Sequence, residues 1–129
     1  MRYLILVIAL LSTLNAFDWP SDYEEALEQA KKEKKNIYLL IGSEYCHFCT
    51  KLKSNVLVKD EVVKRLKKDY VLLYLSTVMD EIPGQFETKS IPRHYFLKEN
   101  GKIIYTTVGY RNIQGFYELL EEVEMFKDD

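Results

Sequence analysis

Ile37-Tyr38-Leu39-Leu40-Ile41-Gly42-Ser43-Glu44-Tyr45-Cys46-His47-Phe48-Cys49 is the stretch that decides the fold. Residues 37–41 are apolar without a break, the pattern of a strand buried on both faces. Gly42 to Tyr45 supplies a loop, and the cysteines open a helix expected over 46–55. A helix N-terminus offers unpaired N–H groups and partial positive charge, both of which stabilise a thiolate. A two-residue spacer on one helical turn brings the second sulfur within reach of the first, and His47, when protonated, adds to the stabilisation. The pattern points to Cys46 as a nucleophile and to Cys49 as the thiol that resolves a mixed disulfide. CxxC alone is moderately specific; at a strand-to-helix junction it is a stronger signal.

Working outward, Ser21-Asp22-Tyr23-Glu24 matches a capping box. It precedes Tyr23, Ala26, Leu27 and Ala30 at helical spacing. The lysine run at 31–35 suits the C-terminus of that helix and reads as its solvated end. Asp60 is expected to cap a further helix with Val62, Val63 and Leu66 inward, succeeded by an apolar strand over 70–75. Residues 76–89 are irregular, with Pro83-Gly84 as a turn and a short helix expected around 85–88. Residues 95–97 and 103–108 read as antiparallel strands joined by the turn Lys98-Glu99-Asn100-Gly101. Asn112 caps a last helix with Phe116, Leu119, Leu120 and Val123 inward. Strands separated by helices imply a parallel pair through a right-handed crossover. The fold class is therefore α/β, a mixed central four-stranded sheet with helices on both faces.

Composition bounds the function. Of 129 residues, 47% are hydrophobic and 29% charged, a globular balance that excludes extensive disorder. A net charge of −2 lacks the basic excess of a nucleic-acid binder. Two cysteines cannot form a multi-bridge scaffold. Residues 1–16 have a basic residue, Arg2, an apolar run and a small terminal Ala16, the three-part pattern of a secretory signal peptide. The apolar run is too short to span a bilayer. The expected domains are a signal peptide over 1–16 and one domain over 17–129, extracytoplasmic (periplasmic in a bacterium) and without stable membrane insertion after cleavage. There a disulfide persists.

On these residues the chain resembles the thioredoxin family over nearly all of 17–129. Residues 37–49 look like its first core strand and active-site helix, Ser90-Ile91-Pro92 like its cis-proline loop, and Glu99-Asn100-Gly101-Lys102 with Gly109 like its C-terminal hairpin. Trp19 ahead of the capped helix resembles the exported thioredoxin-related, SoxW-like branch. The resemblance implies a thioredoxin-like fold and a thiol–disulfide oxidoreductase. It implies no cofactor beyond the Cys46–Cys49 pair, with protein thiols or disulfides as substrates and a membrane-bound or soluble redox partner that recharges the pair. Pro92 would be cis against the sulfurs, and Ile91 would offer its backbone to a substrate peptide.

The departures are informative. Tyr45 stands where the family commonly has Trp, and Leu40 where it has a buried acid. The strand at 70–75 carries no lysine. Deprotonation of Cys49 would then fall to Glu44, to His47 or to water, although Glu44 reads first as an exposed loop acid. His47-Phe48 replaces the common Gly-Pro and hints at an oxidant, whereas Ile91 hints at a reductant.

Other chemistries fit less well. A zinc set of Cys46, His47, Cys49 and His94 is geometrically awkward and lacks a second CxxC. Haem attachment needs His where Thr50 stands. Arg93 reads as a strand-edge charge or groove rim, His94 as a core or edge residue, and the ten tyrosines as core-edge residues. The competing function is a protein-binding, chaperone-like module using Tyr45, Phe48 and Ile91.

Overall fold

The computed structural model describes residues 17–128; the proposed signal segment lies outside them. The elements are α1 (Tyr23–Glu33), β1 (Asn36–Gly42), α2 (His47–Leu52), a π-helical turn (Lys53–Leu57), α3 (Asp60–Asp69), β2 (Tyr70–Ser76), β3 (Arg93–Leu97), β4 (Ile103–Val108) and α4 (Ile113–Glu124). The sheet order is β2-β1-β3-β4. β1 runs parallel to β2 and antiparallel to β3, and β3 antiparallel to β4. This is the expected mixed sheet with helices on both faces.

Alternation along the strands divides the core. Tyr38 and Leu40 of β1 join Leu72, Tyr74 and Phe96 beneath α2, the π turn, α3 and α4. Ile37, Leu39 and Ile41 join Val71, Leu73, Leu75, Tyr95 and Leu97 on the opposite face, against Ala26 and Ala30 of α1. Small residues on α1 let that helix approach closely. Beyond it, this face is covered by the segment 77–92, with Phe86 buried in the core.

Four local expectations are corrected. Asp22, not Ser21, caps α1, its carboxylate accepting the Glu25 N–H at 3.0 Å. The short helix around 85–88 does not form. Instead Phe86 is pinned between Tyr23 (5.6 Å between centroids) and Tyr95 (4.9 Å), and the Glu87 N–H donates to the Tyr95 hydroxyl at 2.6 Å. The helix after the cysteines is α-helical only to Leu52. The π turn then closes with Val58 N–H donating to Lys53 C=O, which places the adjacent Val56 and Leu57 both inside. Asp60 is the first residue of α3 rather than its cap, and Val63 is only half-buried beside the buried Val62 and Leu66. Asn112 caps α4 as expected, accepting the Gly115 N–H at 2.8 Å.

Residues 17–20 run along the outer edge of β2, where Tyr74 N–H donates to Pro20 C=O at 2.9 Å. Phe17 and Trp19 stack at 5.0 Å and close one end of the three-helix face, Trp19 edge-on to Tyr38 at 5.5 Å.

Candidate functional site

β1 ends at Gly42, and the chain turns over Ser43, whose carbonyl accepts the Cys46 N–H and whose hydroxyl accepts the Tyr45 N–H. Cys46 is therefore delivered in extended conformation as the N-cap of α2. Its sulfur accepts the Cys49 N–H at 3.2 Å, a position where a side-chain oxygen is usual. Cys46 and Cys49 are joined as a disulfide with their Cα atoms 5.2 Å apart. The pair is asymmetric. Cys46 is partly exposed, whereas Cys49 is sealed from solvent. An incoming thiolate can reach only the Cys46 sulfur. After reduction, the Cys49 N–H and the helix end remain to hold a Cys46 thiolate.

Gly42 allows this closeness. A methyl group built there would lie 3.2 Å from Cys49 Sγ and 3.2 Å from the Tyr74 ring. The fit of Cys49 against the strand depends on the missing side chain. A glycine at the end of a buried strand and before CxxC was a visible signal for it.

The other candidates surround the pair unevenly. Tyr45 is 88% and Phe48 55% exposed, and His47, also exposed, meets the Phe48 ring edge-on at 5.4 Å. Val78 and Met79 project nearby from the turn after β2, whose N–H groups donate to Ser76 Oγ. Glu44 is exposed, as expected of a loop acid, but it is anchored. Ser76 donates to one carboxylate oxygen at 2.7 Å and Tyr74 to the other at 3.3 Å. The Ser76 hydroxyl holds the carboxyl below its usual range, with Lys53 adding to the effect. Lys53 sits over the Tyr74 ring at 3.6 Å, and burial lowers its ammonium. Burial and Glu44 together raise Tyr74. Nothing in the sequence singles out Tyr74, Ser76 and Lys53: the parallel register of β1 and β2 brings Tyr74 and Ser76 to Glu44, and the π turn lays Lys53 over Tyr74. Leu40 is fully buried opposite Tyr74, so the strand position under the pair is apolar.

The register also brings in residues distant in sequence. Ile41 pairs with Arg93, so Pro92 lies level with Gly42 at the cysteine end of the sheet. The Ile91–Pro92 peptide bond is cis; Pro92 is buried and Ile91 half-buried against the one-helix face. His94 is no edge residue. It is fully buried, with Nδ1 2.7 Å from the Tyr38 hydroxyl and Nε2 2.8 Å from the Gly109 carbonyl. Burial, reinforced by Arg111, lowers its pKa from 6.5 to about 4 against the opposing pull of the Gly109 carbonyl. Both ring nitrogens are engaged, which removes His94 from any metal set. Among the described residues no group of three or more His, Cys, Asp or Glu side chains could hold a metal, and no helix is long and apolar enough to cross a membrane.

The sequence profile of the thioredoxin-like family matches residues 18–99. The chain is 33% identical over 57 residues to human spermatogenesis-associated protein 20. That match covers 44% of this chain and only 7% of the relative. Among solved structures, an oxidoreductase named DsbH superposes with a TM-score of 0.65 at 17% identity, covering 86% of this chain and 88% of that one. A disulphide isomerase from Xylella fastidiosa Temecula1 gives 0.65 at 20% identity, covering 84% and 99%. A Thermus thermophilus thioredoxin gives 0.66 at 23% identity, covering 83% and 86%. At these identities the structural likeness speaks for the fold, and it does not single out a branch.

Proposed function

The chain belongs to the thioredoxin-like family, and from that premise we propose that it is an exported enzyme exchanging its Cys46–Cys49 pair with the thiols and disulfides of other proteins. Fold and CxxC together make it a thiol–disulfide oxidoreductase; export, substrates and residue roles are the proposal. The observation that carries it is the asymmetry of the pair, one sulfur reachable on a helix cap and the other sealed beneath it.

The cycle follows from that asymmetry. In the reduced protein the Cys46 thiolate attacks one sulfur of a substrate disulfide. The substrate S–S bond breaks, and its other sulfur leaves as a thiolate. Cys49, its proton passing to Glu44, His47 or a water admitted to the site, then attacks Cys46; the mixed disulfide breaks and the second substrate thiolate departs. Two electrons have passed to the substrate. A dithiol protein, membrane-bound or soluble, restores the pair by the reverse steps. The potential of the pair relative to its partners sets the direction of flow. Ile91 and Pro92 form the groove wall beside Cys46, and Tyr45 and Phe48 its apolar rim. His47 and Glu44 tune the site from its edge.

The test is turnover of insulin disulfides by the protein without residues 1–16. Cys46→Ser abolishes turnover, while Cys49→Ser accumulates a mixed disulfide at Cys46. Full activity of Cys46→Ser overturns the proposal. The exposed Tyr45 and Phe48 also suit the protein-binding reading, which predicts partner capture unchanged when both cysteines are serine. On export, the mature chain begins at Phe17, a point that N-terminal sequencing checks.

A further inference from the structure

The buried polar connection at His94 lies outside the cysteine chemistry. A carbonyl oxygen can only accept, so the contact with Gly109 fixes the proton of His94 on Nε2. Nδ1 is then an acceptor, and the Tyr38 hydroxyl must donate to it. The bonding continues. Gly109, at φ +113, turns its carbonyl to His94 while its own N–H donates to Pro92 C=O at 2.8 Å. Tyr38 is fully buried and is held by rings at 5.0 Å (Phe96), 5.5 Å (Trp19) and 5.7 Å (Phe116). A continuous chain of donors and acceptors thus runs from the packed core to the backbone of the Ile91–Pro92 segment.

We propose that His94 is a positioning residue for the substrate groove: through Gly109 it fixes the carbonyl of Pro92, and so the path of the backbone beside Cys46. This rests on the groove assignment above. His94 touches neither sulfur nor substrate, and it acts by holding two backbone segments in register. A fully apolar pair at 38 and 94 would fill the same space, yet it would leave the Gly109 carbonyl without its inward partner. The Gly109 turn would then be fixed only at its Pro92 side. A buried polar connection whose members are all satisfied rigidifies the segments that it joins.

The test uses Tyr38→Phe/His94→Leu, which removes both partners together and leaves neither side chain buried and unpaired. The first readout is hydrogen exchange at the Gly109 amide, which falls in protection by about tenfold or more when the clamp is lost. The second is kinetic. The KM for insulin disulfides rises about tenfold with kcat little changed, while exchange with glutathione disulfide, too small to use the groove, stays within about twofold. His94→Gln, whose amide reaches the position of Nε2, restores most of both. Unchanged Gly109 protection overturns the inference, as does equal loss toward insulin and glutathione. If the double variant does not fold, the same readouts on Tyr38→Phe and His94→Gln decide it, the first shifting toward loss and the second retaining function. A wild-type protein inactive on insulin refutes the proposed function instead, and the Gly109 readout still judges the clamp.

Discussion

The two faces of the sheet are covered by different means. One lies under α2, the π turn, α3 and α4, and its core holds interlocking rings from strand and helix, Tyr38, Phe96 and Phe116 among them. The other lies under α1 and the irregular segment 77–92, which reaches the core through Phe86. The polar devices of the site, His94 with Tyr38 and Tyr74 with Glu44 and Lys53, belong to the first face. The Ile91–Pro92 segment ends the cover of the second. Reactive sulfur is thus placed by regular elements, whereas the groove wall is placed by a few side-chain anchors, and the two meet at the ends of β1 and β3.

Substitutions can break this contrast, beginning with the largest effect. Phe116→Ala opens a cavity that three helices cannot collapse around. It lowers stability by about 4–5 kcal/mol, read from chemical denaturation. Next comes acid. His94 stays neutral in the fold down to about pH 4, whereas in the unfolded chain it titrates near 6.5. Between those values the unfolded chain takes up a proton that the folded chain refuses. Stability is therefore full above pH 6.5 and falls as pH drops toward 4, by about 3 kcal/mol in all. Denaturation midpoints across that range read it, and Tyr38→Phe/His94→Leu flattens this limb.

Phe86→Ala costs less, about 2–3 kcal/mol, because an irregular cover can settle into the space. Its amide-exchange changes fall within 77–92, and a cost equal to that of Phe116→Ala would erase the distinction between the faces. Gly42→Ala presses a methyl between Cys49 and Tyr74 and costs about 1–2 kcal/mol. Glu44→Gln is the smallest, below about 0.5 kcal/mol, since its hydrogen bonds are made at an exposed carboxylate.

Much of the three-helix face is legible in the sequence. The spacing of Phe116, Leu119, Leu120 and Val123 and the cap at Asn112 are local features, as is the apolar run into CxxC. The π turn is not legible, because one extra residue in a helical turn changes no composition. The cover of the other face reads as helical at 85–88, where two aromatic contacts and the hydrogen bonds between the Glu87 backbone and the Tyr95 hydroxyl decide otherwise. Cys46 and Cys49 can be located from spacing alone. The anchoring of Glu44 and the burial of His94 depend on strand register, which brings hydrogen-bonding side chains 30 and 56 positions apart within reach of each other.

Trp19, the one tryptophan in the chain, rests edge-on against the ring of Tyr38. The protein thereby carries its own optical reporter beside the hydroxyl that holds His94. Emission from Trp19 tracks the three-helix face, and circular dichroism tracks both. Where the two signals separate during unfolding, the spectrum itself reports that the halves of the core part company.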